Sequence, residues 1–451
     1  MLARSTTLAQ RTDALRNRKH EPICRAKPMC HQCVKRVSSF ACQALPERAA
    51  SVRMQPPVNS SQNFARGRGG PHPAANAVLH AGFAVTGVIT TMLGPLLPVL
   101  INRWSLSDAS AGLFFSAQYF AALAGALTLS ALLAWRGYKV VLATGFALMA
   151  VGVSTLLLGN HTMGLVATGV YGYGLGLILS STNLWVAEIA EARRAAAISI
   201  VNVAWGSGAI ACPALVAYAQ KANAVPAFLA VMGALAGVAA ISLGIMNVEP
   251  RSKASANGHQ KVVSAPIRKS IAVPLGVFFF LYVGCESSVG GWTAALAKRM
   301  ATSPGTMWAL APMFFWGGLL VGRLFVPMIL RAVKEQNLMA GGLIVGAMGN
   351  VALIEVKTIQ AAAVCGVVIG LGFSSLYPIL VSSLVRNFGE HAKRMASVMF
   401  PLGSLGGASL PWLVGMVSTR AGGLHVGLMV PLAGCVVLVV LLPVLRRQAF
   451  A

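Results

Sequence analysis

The chain has 451 residues, 56% of them hydrophobic and only 10% charged, and its mean hydropathy is +0.70. A water-soluble domain carries about a quarter charged residues, so this composition excludes a soluble enzyme or binding module and implies an integral membrane protein. The net charge of +25 does not point to nucleic acid: 13 of the 36 Lys and Arg fall in the first 70 residues and most others flank apolar runs, with no basic stripe interleaved with aromatics.

Residues 1–75 are basic, poor in acids and without periodicity, and read as a disordered tail. The Arg and Ser content fits an organellar transit peptide, and a regulatory tail is a second reading. Translation from Met54 is the reading favoured, because nothing before it is patterned for structure. The tail lacks the roughly 7–15-residue apolar core of a secretory signal. Cys30-His31-Gln32-Cys33 is a C-x-x-C with Cys24, Cys42 and His20 nearby. It lacks the second ligand pair that zinc needs, so no metal or cofactor is expected. Cys212, Cys285, Cys365 and Cys435 stand singly in apolar segments as packing residues.

Twelve apolar segments follow, near 77–101, 107–135, 139–158, 162–187, 195–219, 225–247, 270–297, 305–330, 337–355, 359–385, 394–419 and 424–445. Each has the roughly 20 residues needed to cross a hydrocarbon core of about 30 Å. The longest connection, 248–269, is polar and basic and divides the chain into six-helix bundles at 76–247 and 270–446, with 447–451 as a short tail. The even-numbered connections and the C-terminus carry 17 Lys and Arg, Arg323 among them, against 6 on the opposite side. That bias places both termini in the cytoplasm, in an inner or plasma membrane, or in an organellar one if the tail is a transit peptide.

The halves repeat each other at an offset of about 200 residues, a weak internal symmetry of the kind transporters carry. GLGLILSSTNLWV (174–186) is matched by GLGFSSLYPILV (370–381), and RRAAAISIVNVAWGSGAIACP (193–213) by KRMASVMFPLGSLGGASLP (393–411). Two such halves point to a transporter with its site between them near the midplane, working by alternating access. A membrane-embedded enzyme would need clustered His, Asp or Cys at bilayer depth, and the spans offer one deep acid, Glu286, in GVFFFLYVGCESSVGGW (276–292). Intramembrane ionisable residues are costly and usually functional, so Glu286 is the first site candidate. No deep Arg or Lys is expected to pair with it; Ser287, Ser288 or His80 are the alternatives.

LGPLLPVL (93–100), AGLFFSAQYF (111–120), GLGLILSSTN (174–183), LYVGCESSVGGW (281–292), FFWGGLLVGRLF (314–325) and GGASLPWLVG (406–415) occur at successive spans. Together they resemble the major facilitator superfamily over residues 76–446, and within it the fucose permease and sugar–proton symporter branch. The resemblance implies an all-α membrane protein, twelve transmembrane helices in two pseudo-symmetric six-helix halves, and transport of a small neutral solute, above all a sugar, either facilitative or coupled to protons. Two departures stand out. SALLAWRGYK (130–139) has Ala134 and Trp135 where the family's latch loop has Asp-Arg, and the family's coupling carboxylates fall on Gly94 and Leu179. Glu286 is then the candidate for both substrate contact and proton coupling.

Sugar recognition calls for planar amides and aromatic faces. Gln118, Asn183 and Asn202 are the interior amides expected at the site, with Asn202 where the family has a substrate-contacting glutamine, and Asn350 is a weaker candidate. Trp292, Trp316 and Tyr377 are the expected stacking faces. Trp292 lies six residues from Glu286, about 120° around the helix, so both can border one cavity. A monomer is expected, and membrane lipid, substrate and protons are its partners. The rival is an exporter of amphipathic, drug-like compounds, to which sparse amides would also be suited.

Overall fold

The computed structural model describes residues 73–189, 194–246, 269–302 and 305–449. The expectations for residues 1–72, including Met54 and the C-x-x-C group, and for nearly all of the 248–269 connection lie outside the described residues. All the regular elements described are helices: α1 (Pro73–Thr91), α2 (Leu93–Trp104), α3 (Asp108–Thr155), α4 (His161–Ile189), α5 (Arg194–Lys221), α6 (Val225–Ile245) and α7 (Lys269–Met300) in the first part. Then come α8 (Ala311–Ile329), α9 (Glu335–Glu355), α10 (Ile359–Phe373), α11 (Leu376–Phe388), α12 (Ala392–Ala421), α13 (Leu424–Gly427) and α14 (Met429–Ala449). The first helix starts at Pro73, three residues ahead of the expected boundary.

Eleven helices among the described residues are long and apolar enough to cross a membrane. One of them, α3, has 48 residues, about 70 Å of helix and twice what one crossing needs. Gly137 inside it has φ 72° and ψ 176°, a backbone state open to glycine and strained for other residues. Gly125 packs on Tyr173 and Leu177 of α4, while Gly145, 20 residues on, packs on Leu177 and Ile178. Gln118 and Gly152 likewise meet α4 at neighbouring positions, Gly172 and Tyr171. Residues 20 apart on a straight helix would be about 30 Å apart. The chain therefore doubles back at Gly137, and α3 is two antiparallel crossings, which brings the crossings among the described residues to twelve. Broken spans account for the other short helices: α1 with α2, α10 with α11, and α13 with α14.

Local chemistry explains several ends. Ser107 caps α3, its hydroxyl accepting from the Ser110 N–H at 3.2 Å, and Asp108 in the first turn suits the positive end of the helix dipole. Thr358 caps α10 in the same way through Ala361 N–H. The sequence repeat is visible in packing. Gly208 of α5 lies against Ala84 of α1 and Gly87 against Trp205, while Gly406 of α12 lies against Phe280 of α7 and Gly284 against Gly406. These are close glycine contacts between matching helix pairs about 200 residues apart. Small residues bring the paired helices to backbone contact, the means by which membrane helices associate.

The two halves meet over one end of the bundle, here called the Asp108 face. Gly112 packs on Trp412, Gly415 on the Asp108 backbone, and Gly94 on Gly290. Ser116 Oγ donates to Ala408 O at 2.8 Å, and the Ala109 N–H donates to Thr419 Oγ1 at 2.9 Å. Asp108 accepts from Arg299 of α7 and from Ser418 of α12. At the opposite end, marked by the Gly137 turn, Tyr138 Oη donates to Glu188 at 2.7 Å within the first half.

Candidate functional site

A cavity of about 310 Å³ lies between the halves, close to the middle of the spans. Its walls come from Thr90 and Thr91 at the break between α1 and α2, Tyr119 of α3, and a stripe of α7. That stripe is Phe279, Tyr282, Val283, Glu286 and Ser287, the three-and-four spacing that puts residues on one helix face. Trp316 and Arg323, seven residues apart on α8, share a second face, and Tyr377 of α11 and Phe400 of α12 complete the wall. A second chamber of about 270 Å³ adjoins it, sharing Leu179, Trp205, Trp316, Arg323 and Tyr377 and reaching Asn183 and Asn202. Asn202 and Phe400 are exposed, as is Tyr377 at its edge, so the cavity opens away from the Asp108 face, where the halves are zipped.

Glu286 faces this cavity, and contrary to expectation it has a cationic partner. Arg323 Nη2 lies 3.6 Å from Glu286 Oε2, and the side chains are 29% and 15% exposed respectively. Arg323 nears the end of its span and so falls with the loop cations in the sequence; the structure puts it inside α8, with six further helical residues beyond it. Its signal was present in the sequence, since FFWGGLLVGRLF continues as apolar VPMIL. Arg323 Nη2 also donates to Tyr282 Oη at 3.3 Å. The serines serve other partners: Ser288 Oγ donates to Gly284 O, and Ser287 Oγ shares a 2.8 Å hydrogen bond with Tyr119 Oη. His80 bonds to the carbonyl of Asn76 one turn back in its own helix.

The aromatic lining is tightly knit. Trp205 and Trp316 meet edge to face with centroids 6.2 Å apart, and Trp205 Nε1 donates to Thr90 Oγ1 at 3.3 Å. Tyr377 packs on Tyr282, Phe279 and Phe400. Trp316 Nε1 is buried and makes no hydrogen bond with the described residues.

The structure brings together Glu286, Trp316 and Tyr377, with Asn183 and Asn202 in the adjoining chamber. It does not bring Trp292 or Gln118 to the cavity. Trp292 is fully buried behind it, its Nε1 donating to Pro411 O at 2.8 Å and its ring against Phe115. The 120° offset from Glu286 carries it into the α7–α12 contact, not onto the cavity wall. Gln118 is 3% exposed and spent between helices, donating to Thr90 O at 3.1 Å and accepting from Tyr171 Oη at 3.0 Å. Asn350 is buried against Gly346 O of its own helix. Of the two positions aligned with the family's carboxylates, Leu179 lines both chambers, whereas a side chain at Gly94 would meet Gly290 O at 2.6 Å.

Among the described residues, apolar crossings surround a central cavity that is zipped at one end and holds an ion pair, the architecture of a multi-pass membrane transporter. The chain belongs to the Major Facilitator Superfamily, whose family model matches residues 79–447. It is 20% identical over 381 residues to Bypass of stop codon protein 6 of Saccharomyces cerevisiae, covering 75% of this chain and 76% of that one. It is 28% identical over 156 residues to a glucose/galactose transporter of Brucella abortus, covering 34% and 37%. Among solved structures, a D-xylose-proton symporter superposes with TM-score 0.68 at 15% identity, covering 81% of this chain and 96% of that one. The nucleoside transporter NupG gives 0.65 at 14%, covering 83% and 98%. The fucose:proton symporter of E. coli gives 0.55 at 16%, covering 82% and 98%. At these identities the superpositions establish the shared fold.

Proposed function

We propose that the chain carries a small neutral polar solute, a sugar in the first instance, by alternating access between its two six-helix halves. The observation that carries this reading is the ion pair held at 3.6 Å in an aromatic-walled cavity. A carboxylate only accepts hydrogen bonds and a guanidinium only donates them, whereas a hydroxyl does both. A sugar hydroxyl therefore satisfies Glu286 and Arg323 together, and the ring's apolar face suits Trp205, Trp316 and Tyr377. A lipophilic cation gains nothing from Arg323, which weighs against the exporter of amphipathic compounds, although Leu179, Phe279, Val283 and Phe400 would suit one. The glucose/galactose relative and the sugar symporters of the same fold support the sugar reading.

Protonation of Glu286 is the proposed coupling event, since it would cancel the pair's attraction and free Arg323. The charge bias of the loops, now 16 against 6 with Arg323 removed, supports cytoplasmic termini and a cavity open to the cytoplasm. An inner or plasma membrane and a monomeric carrier complete the proposal. The test is a thermal-shift and proteoliposome-uptake series at two pH values with monosaccharides, amino sugars and lipophilic cations. Monosaccharides are expected to bind; stabilisation by lipophilic cations alone would sink the sugar reading. If Glu286→Gln leaves pH-dependent uptake and exchange unchanged, Glu286 is not the coupling group.

A further inference from the structure

The ion pair occupies only one part of the cavity. The second chamber has its own polar equipment on the far side of the shared waist, and Arg323 reaches both. Its Nη2 is turned to Glu286 and Tyr282 in the first chamber. Its Nε is buried and has no partner among the described residues. An unsatisfied buried donor on a charged group is expensive, and a ligand acceptor is the natural way to satisfy it.

The amides at the other end are pre-set. Asn202 Nδ2 donates to Asn183 Oδ1 at 3.1 Å and to Ile198 O at 2.8 Å, and Asn183 Nδ2 donates to Leu179 O at 2.7 Å. Both hydrogens of the Asn202 amide are therefore used within the protein. What remains for a ligand is Asn202 Oδ1 as an acceptor and the second Nδ2 hydrogen of Asn183 as a donor. The lining also includes apolar Ala209, Leu319 and Leu320. A polar edge beside apolar surface is the environment of a flat or puckered ring with hydrogen-bonding groups at its rim, not of an alkyl tail. Asn202 to Ala209 is about 10 Å along α5, so the chamber has the length for a ring of its own.

Resting on the carrier reading above, we infer that the two chambers form one bipartite site for a two-ring solute, a sugar joined by an O- or N-glycosidic bond to a second hydrogen-bonding ring. The sugar lies between Glu286 and the Trp205–Trp316 pair. Arg323 Nε donates to an oxygen at the junction, and the Asn183–Asn202 pair reads the rim of the second ring. Asn183 and Asn202 are then specificity-determining residues. A monosaccharide fills the first chamber and leaves the amides and Arg323 Nε unengaged.

The test measures binding of a monosaccharide, a disaccharide containing it and a nucleoside to the purified full chain by competition and thermal shift. At least one two-ring compound is expected to bind about tenfold or more tightly than the monosaccharide, the equivalent of about one well-made hydrogen bond. Whether the disaccharide or the nucleoside gains identifies the second ring. Asn202→Ala and, separately, Asn183→Ser are expected to lower two-ring binding about tenfold and monosaccharide binding less than twofold. Equal binding of all three compounds, or equal losses in the variants, would overturn the bipartite site while leaving the sugar carrier intact. Binding of none of them overturns the carrier reading itself. The wild-type ligand series does not depend on either variant folding.

Discussion

Neutralising Glu286 and Arg323 singly and together measures how far the cavity's ion pair acts as a unit. At 3.6 Å, Coulomb's law gives about 4.6 kcal/mol at an effective dielectric of 20 and about 1.2 kcal/mol in water. With Arg323 29% and Glu286 15% exposed to the cavity, the coupling lies between these limits, at about 2–3 kcal/mol. Glu286→Gln and Arg323→Gln each strand the opposite charge, so each is expected to lower the unfolding free energy by about 2–3 kcal/mol, short of the figure of about 3–5 for fully buried pairs. The double variant strands nothing and is expected within about 1 kcal/mol of the starting protein, since neutral replacement of such a pair is often tolerated. Reversible unfolding in mixed detergent micelles reads all four corners of the cycle. If the two single losses merely add, to within about 0.5 kcal/mol, the side chains do not interact and the reasoning fails.

The two tryptophans separate wall from core. Trp292→Phe removes the hydrogen bond to Pro411 O and is expected to cost about 1–2 kcal/mol of stability with solute affinity unchanged, whereas Trp316→Phe is expected to weaken solute binding in a titration. Gly94→Asp restores a carboxylate where the family has one, yet its Cβ would sit 2.6 Å from Gly290 O. The expected outcome is destabilisation of about 1–3 kcal/mol in a melt, with no gain of pH-dependent uptake. Asp108→Asn leaves Arg299, itself 40% exposed, without its anion. A loss of about 1 kcal/mol on the closed side shifts the two-state equilibrium about fivefold. Thiol labelling of Thr90→Cys from the Asp108 face is expected to accelerate accordingly.

Much of the architecture was legible because membrane spans leave little freedom: an apolar run must be helical, and its length fixes the crossing. The repeat was legible for a similar reason, since Gly208 and Gly406 face backbone at close quarters and admit no other residue. The hairpin at Gly137 was legible as a short polar gap, Arg136 to Lys139, between two apolar runs. The site was only half legible. Glu286 announced itself through its cost, but Arg323 was lost among loop cations, because a long side chain near a span end reads as snorkelling. Helical angle alone could not tell the cavity from the α7–α12 seam, which is why Trp292 was expected on the wall and lies in the core. Gln118 is expected at the site because sugar recognition calls for planar amides, but Thr90 and Tyr171 take up its hydrogen bonds between helices.

The two ion pairs differ in what a rocking motion would ask of them. Asp108 belongs to α3 in the first half and Arg299 to α7 in the second, so their contact, with those of Ser418 and Thr419, must break whenever the Asp108 face opens. Glu286 and Arg323 both belong to the second half, on α7 and α8, and travel together. Neutralising Glu286 therefore breaks no bond between the halves. Its effect must run through the solute, by changing what Arg323 and Tyr282 offer to a bound hydroxyl. The two sites should then separate kinetically: Asp108→Asn changes the rate of exchange between open faces with solute affinity at either face preserved, while Glu286→Gln changes affinity first. A Glu286→Gln protein with unaltered affinity and an altered rate of opening would place the ion pair in the gate instead of the binding site.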